Sequence, residues 1–284
     1  MRGHGSCESK PLNYRHAFHA GNFADLVKHA ALLQVLARLN LEPGPLTVID
    51  THAGSGLYDL AGVVARKSGE AQAGIVRLMA ATDAPAEFAP LTAAVRRLNG
   101  PGPVRRYPGS PWLIAEALRP GDSYLACELR PQEYAALRER LKARRGVSTV
   151  CDDGYDVAAT RAPASGRVLL LIDPPFERAD DYARVVETLA AVRRRNRAAA
   201  ALVWLPLKDL ETFDSFLRRL EDEVGAPLLV AETRMRPLID PLKMNGCALV
   251  LLGAPAGFAS PLETICGWTA EVLGEAGEAR VYDL

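Results

Sequence analysis

The sequence predicts an α/β protein: a doubly wound parallel sheet carrying a small helical insertion. Three observations lead there. Apolar runs of strand length alternate with stretches of helical periodicity, the pattern of successive βα units. Leu169–Ile172 is uninterruptedly apolar, as a strand covered on both faces must be. Predicted strands end in Asp50, Glu128 and Asp173, and open α/β sheets bind ligands beyond the carboxyl ends of their strands.

In chain order, residues 1–13 read as a flexible leader ahead of one domain spanning 14–284. Met1–Lys10 is polar and has no apolar core, so it is not a secretory signal. Gly21 or Asn22 starts a helix in which Phe23, Leu26, Val27, Ala30, Leu33, Leu36 and Ala37 recur at helical spacing. Pro43, Gly44 and Pro45 end it. Leu46–Asp50 is a strand followed by a glycine turn. Residues 58–106 are Ala-rich, with helical stretches at Gly74–Ala81 and Ala86–Leu98 and no convincing strand, hence the insertion. Pro111–Leu118 is a helix and Ser123–Glu128 a strand. Pro131–Arg145 is a helix with proline at its first position, then Val147–Cys151 a strand. The strand Val168–Asp173, helix Asp180–Arg195, strand Ala199–Leu205 and helix Phe213–Val224 follow. Leu228–Glu232 and Cys247–Leu252 read as the final strands.

Composition excludes several classes. The 284 residues are 49% hydrophobic and 24% charged, with 34 basic and 34 acidic side chains; a disordered chain needs low hydrophobicity and high net charge. No apolar run approaches the roughly 20 residues of a membrane helix. Five cysteines without a CxxC pair argue against a disulfide framework or zinc ribbon and fit a reducing cytoplasm. The zero net charge conceals an asymmetry: residues 1–208 carry +7 and residues 209–284 carry −7. Basic groups cluster at Arg138–Arg145 and Arg193–Arg197, faces that suit solvation or phosphate contact equally.

Four segments carry chemistry. In Asp50-Thr51-His52-Ala53-Gly54-Ser55-Gly56 a strand-end acid precedes glycines that let backbone approach a ligand without a Cβ clash. The third glycine of a dinucleotide fingerprint is missing, which favours a nucleoside ligand without pyrophosphate, such as S-adenosylmethionine. Glu128 ends the next strand, where a carboxylate binds ribose hydroxyls. Asp153 and Gly154 follow another strand, where an acid can accept an adenine amine or merely cap a helix. In Asp173-Pro174-Pro175-Phe176 a buried strand delivers a carboxylate, two stiff prolines and an aromatic ring. Asp173 and a carbonyl beside Pro174 can accept both hydrogens of an exocyclic amine, and Phe176 can stack on its base. His16 and His19 have no partner set completing a metal site, so no metal is expected.

Six pieces together resemble the RlmJ-like family of 23S ribosomal RNA adenine-N6 methyltransferases: Tyr14–His29, Asp50–Leu60, Tyr107–Pro111, Glu128 with its following Arg-Pro, Asp152–Tyr155 and Ile172–Glu177. The resemblance implies a Rossmann-like class I methyltransferase sheet with an inserted helical subdomain, S-adenosylmethionine as methyl donor and 23S ribosomal RNA as partner. It places cofactor contacts on His29, His52, Ser110, Glu128, Asp153 and Gly154, with Lys28 beside them at the cofactor carboxylate. It places the catalytic acid on Asp173 and an RNA contact on Tyr14, next to which Arg15 suits a phosphate. The family's usual tyrosine is Phe176 here, which keeps the ring and loses the hydroxyl. RNA-facing charge is expected near Arg15 and the Arg-rich helices. A DNA adenine or protein glutamine methyltransferase, and a non-catalytic RNA-binding protein on the same fold, are the rival readings.

Overall fold

The computed structural model describes residues 16–62, 67–237 and 244–284. Its strands are β1 (Leu46–Asp50), β2 (Leu57–Asp59), β3 (Arg106–Pro108), β4 (Ser123–Cys127), β5 (Val147–Val150), β6 (Arg167–Ile172), β7 (Ala200–Leu207), β8 (Leu228–Arg234), β9 (Gly246–Leu252) and β10 (Glu278–Asp283). Eight of them form one sheet in the order β10-β8-β9-β7-β6-β1-β4-β5. The helices that cover it are α1 (His16–His19), α2 (Phe23–Leu39), α3 (Arg77–Ala80), α4 (Ala89–Asn99), α5 (Ser110–Ala117), α6 (Pro131–Leu141), α7 (Gly154–Arg161), α8 (Asp181–Arg195), α9 (Leu210–Val224) and α10 (Ala259–Trp268).

The apolar runs are explained by two cores, one on each face of the sheet. Leu169 and Leu171 of β6 face the core built with α2, α5 and α10, while Val168, Leu170 and Ile172 face the core built with α7, α8 and α9. The alternation repeats in β9, where Cys247, Leu249 and Leu251 take one side and Ala248, Val250 and Leu252 the other. With side-chain period 2 and both faces buried, neither strand has room for a polar residue.

Three expectations need correction. The sheet is not wholly parallel: β9 runs antiparallel to both β7 and β8, and β10 runs antiparallel to β8. Eleven residues, 235–245, separate β8 from β9, fewer than the dozen or more that a parallel crossover needs. Nor is Cys247–Leu252 the last strand, because α10 and β10 follow it. β10 is an edge strand reading Glu-Ala-Arg-Val-Tyr-Asp, half polar, so it presents no apolar run to find. The insertion also contains strands. β2 and β3 pair antiparallel at its base, Tyr58 opposite Tyr107. Asn99 closes it, accepting from the Arg105 and Arg106 N–H groups and donating to the Arg106 carbonyl. Three residues are too few for strand periodicity to register.

β1 lies between β4 and β6, where the chain's winding reverses. The crevice beyond the carboxyl ends of these three strands is therefore the expected binding position. Each helix of a parallel unit returns the chain to the opposite edge. Arg144 and Arg145, after α6 and before β5, and Arg193–Arg197, at the end of α8 and before β7, lie at that far edge. These arginines thus lie away from the crevice, whereas Arg140 of the same expected cluster donates to the Ser55 carbonyl in the loop after β1.

Candidate active site

The loop after β1 is shaped by what it must avoid. Gly54 has φ +64°, and a Cβ there would stand 2.3 Å from the Tyr58 hydroxyl. Its N–H donates to Glu128 Oε2 (2.9 Å), while the Arg130 N–H donates to Oε1 (2.8 Å). Glu128 is therefore buried but held in place. Burial raises its pKa, and the Arg130 and Gly54 amides partly oppose the rise. Asp50 lies below the loop. Its Oδ2 accepts from Ser110 Oγ (2.9 Å) and the Tyr124 hydroxyl (3.1 Å), and burial pushes its pKa up to about 7. That bond fixes the Ser110 side chain at the start of α5.

Asp153 caps α7, its Oδ1 accepting the Tyr155 N–H at 3.0 Å. Arg178 and Arg184 each reach one of its oxygens at 3.3 Å. The capping reading and the ligand-acceptor reading thus describe the same side chain. At Gly154 a Cβ would stand 1.9 Å from the Thr51 carbonyl, so no other residue fits. His52 packs edge-on to Tyr155 with centroids 4.8 Å apart, and burial lowers its pKa to about 4, leaving a neutral imidazole at neutral pH. His29 is buried on α2; its Nδ1 bonds the Tyr107 hydroxyl at 2.8 Å and the two rings stack.

Lys28 is 4% exposed and its ammonium sits between two carboxylates, Asp25 Oδ1 at 2.9 Å and Asp173 Oδ2 at 2.5 Å. Burial works to lower its pKa, but the two aspartates outweigh it and the net shift is upward, so Lys28 stays charged. Asp173 ends β6. After Pro174 and Pro175, Phe176 takes φ +50°, a left-handed conformation rare outside glycine. Its ring is packed 4.6 Å from Tyr182 and 6.1 Å from Trp204. Strain of this kind persists only where surrounding packing enforces it.

These residues frame two adjoining spaces. The first is lined by Lys28, His29, His52, Gly54, Ser110, Glu128, Asp153 and Gly154, and by Asp173. Every residue expected at the cofactor lines this one cavity. The second is a wider groove with Pro174, Phe176 and Trp204 in its wall. Lys28, Asp173 and Pro175 belong to both. Tyr14 and Arg15 lie outside the described residues.

Sequence reasoning singled out Asp50 as a strand-end acid but gave no role to Asp25, Tyr107 or Arg178. Asp25 was detectable: an acid three residues before a lysine, on a helix otherwise apolar along that side, signals a buried pair. Tyr107 and Arg178 act through distant partners and leave no local pattern.

The description "Ribosomal RNA large subunit methyltransferase D, RlmJ" belongs to a family model that matches residues 43–283. Ribosomal RNA large subunit methyltransferase J of Haemophilus influenzae is 34% identical over 94% of this chain and 95% of its own length. The protein of that name from Escherichia coli is 32% identical over the same shares. A Legionella pneumophila protein of known crystal structure superposes with a TM-score of 0.84 at 27% identity, over 94% of this chain and 98% of that one. The chain belongs to the RlmJ family of ribosomal RNA large subunit methyltransferases.

Proposed function

We propose that this protein transfers a methyl group from S-adenosylmethionine to N6 of an adenine in 23S ribosomal RNA, in the cytoplasm. The observation that carries the reading is the shared wall: Asp173 and Pro175 stand between the cavity lined by the expected cofactor residues and the aromatic groove. A donor and an acceptor molecule entering from opposite sides would meet there.

The cavity suits the donor by its chemistry. Glu128 offers a carboxylate to the ribose hydroxyls, Asp153 an acceptor for the adenine amine, His52 a neutral ring and His29 a buried one, all lining one cavity. When bound, S-adenosylmethionine supplies an electrophilic methyl on sulfonium. The residues of this chain then position the acceptor. Asp173 and the carbonyl beside Pro174 accept the two amine hydrogens and aim the nitrogen lone pair at the methyl carbon. Phe176, held by Tyr182 and Trp204, offers a ring face to the base. Lys28 holds the Asp173 carboxylate through an ion pair to its Oδ2. As the N–C bond forms the S–C bond breaks, and the nitrogen becomes cationic. It then loses its proton readily, so Asp173 need not be a strong base. Positioning supplies most of the rate. Tyr14 and Arg15 are proposed to contact the RNA.

Mass spectrometry of digested 23S transcripts, incubated with and without the protein, tests this. Asp173→Ala should abolish N6-methyladenine formation while calorimetry still detects S-adenosylmethionine binding. Full activity of that variant would refute the assignment of Asp173. Transfer to duplex DNA or protein but not to RNA would refute the substrate.

A further inference from the structure

The groove beyond Asp173 is far larger than one adenine requires, and its far end holds cations that the methyl-transfer reading does not use. Trp204, Pro206 and Lys208 alternate along the end of β7 and share a face by the period of two. Across from them, Met235 and Arg236 leave the end of β8. The helical insertion supplies the opposite bank through Ala73 and Arg77, four residues apart.

Most charges here are already engaged. Lys28 is held by Asp25 and Asp173, and Glu70 by His19 (2.9 Å) and Asn22 (2.9 Å). Arg234 is committed to Glu232, and Arg77 donates to the Val272 carbonyl at 2.5 Å. Lys208 and Arg236 differ. Among the described residues neither ammonium nor guanidinium has a carboxylate partner, and Arg236 Nε is buried without a hydrogen-bond partner. A cation kept unpaired in a groove wall, beside an aromatic ring, suits a phosphodiester next to an unstacked base. Glu177 and Glu275 also line the groove. It is therefore not uniformly positive, and a bound strand has one favourable phosphate position.

We infer that Lys208 and Arg236 form a phosphate subsite for the RNA strand flanking the target nucleotide, with Trp204 as the apolar platform beside it. The strand then enters across the β7–β8 end of the groove. The subsite rests on the proposed RNA substrate, and it sets the register that delivers one adenine to Asp173. It does not use the arginine-rich helix ends, which the topology carries to the other edge of the sheet.

The test is steady-state methylation of a 23S transcript by the full-length protein and by Lys208→Gln, Arg236→Gln and the double variant, from 50 to 200 mM salt. Each single variant should raise the KM for RNA about three- to tenfold, the loss falling on KM more than on kcat. The slope of log KM against log salt should flatten by about one for each cation removed. Arg236→Lys should restore the slope, and calorimetric S-adenosylmethionine affinity should not move. If the double variant keeps the wild-type KM and salt slope while the wild type methylates RNA, the subsite is wrong and the function stands. If the wild type methylates no RNA, the underlying reading fails instead.

Discussion

Replacing Lys28 by methionine isolates the electrostatics of the site. The side chains of Lys28, Asp25 and Asp173 are 4%, 5% and 13% exposed, so the variant leaves two buried carboxylates facing each other across a methyl group. Removing one partner of a buried ion pair costs about 3–5 kcal/mol, because the remaining charge has neither solvent nor counter-ion. For a chain of this size each kcal/mol lowers the melting temperature by about 2–4 °C, giving a shift on the order of 10 °C at pH 7.5. The pH dependence distinguishes this from a packing defect. In the wild type the Lys28 pKa is raised above 10.5, so its contribution is complete below that value and is lost only as pH climbs past the folded pKa. In the wild type Lys28 therefore stays charged between pH 5 and 9. In the variant, protonating either aspartate relieves the repulsion, so the deficit should shrink as pH falls toward 5. Circular-dichroism melts of both proteins at pH 7.5 and 5.0 measure it. A deficit below about 1 kcal/mol, or one equal at both pH values, would refute the view of Lys28 as the counter-ion of Asp173.

Three further outcomes are expected. Tyr107→Phe deletes the hydroxyl bonded to His29 Nδ1 and should cost about 1 kcal/mol in chemical denaturation, with a several-fold weaker S-adenosylmethionine affinity by calorimetry. His52 has a folded pKa of about 4 against 6.5 unfolded. Its contribution is full above pH 6.5 and fades as pH falls through 4, so His52→Gln should flatten the acid side of a melting-temperature profile. Gly154→Ala drives a Cβ into the Thr51 carbonyl, 1.9 Å away, and should lose cofactor binding and soluble expression together; Gly102→Ala, with open space around it and no left-handed φ, is the control.

Much of this was legible in the chain, and the reasons differ by element. β6 announces itself because both its faces are buried, so burial and strand length coincide in one apolar run. Of the expected cofactor residues, Gly54, Glu128, Asp153 and Gly154 are legible because they occupy strand ends and glycine turns, whereas Lys28, His29 and Ser110 lie on helices and were placed by the family resemblance. β10 and the β2–β3 pair were missed for opposite reasons: an edge strand need not be apolar, and three residues have no period to detect. The antiparallel insertion of β9 depends on which strands pair, which no local pattern states. Tyr107 under His29 and Arg178 on Asp153 join residues 78 and 25 positions apart, contacts that only folding makes.

Charge shows most clearly why topology must filter a sequence reading. The basic first 208 residues suggested RNA contact at their arginine clusters, and the acidic last quarter suggested none. A parallel βα unit sends the end of its helix to the amino edge of the sheet, so a cluster there is at least one strand length, about 17 Å, from the chemistry. What reaches the carboxyl edge is the residue just past a strand or in the first helical turn. Lys208 and Arg236 satisfy that condition, one from the basic body and one from the acidic quarter, each a single cation that a charge count ignores. In a doubly wound sheet, then, a lone lysine after a strand is better evidence of a polyanion contact than four arginines at a helix end.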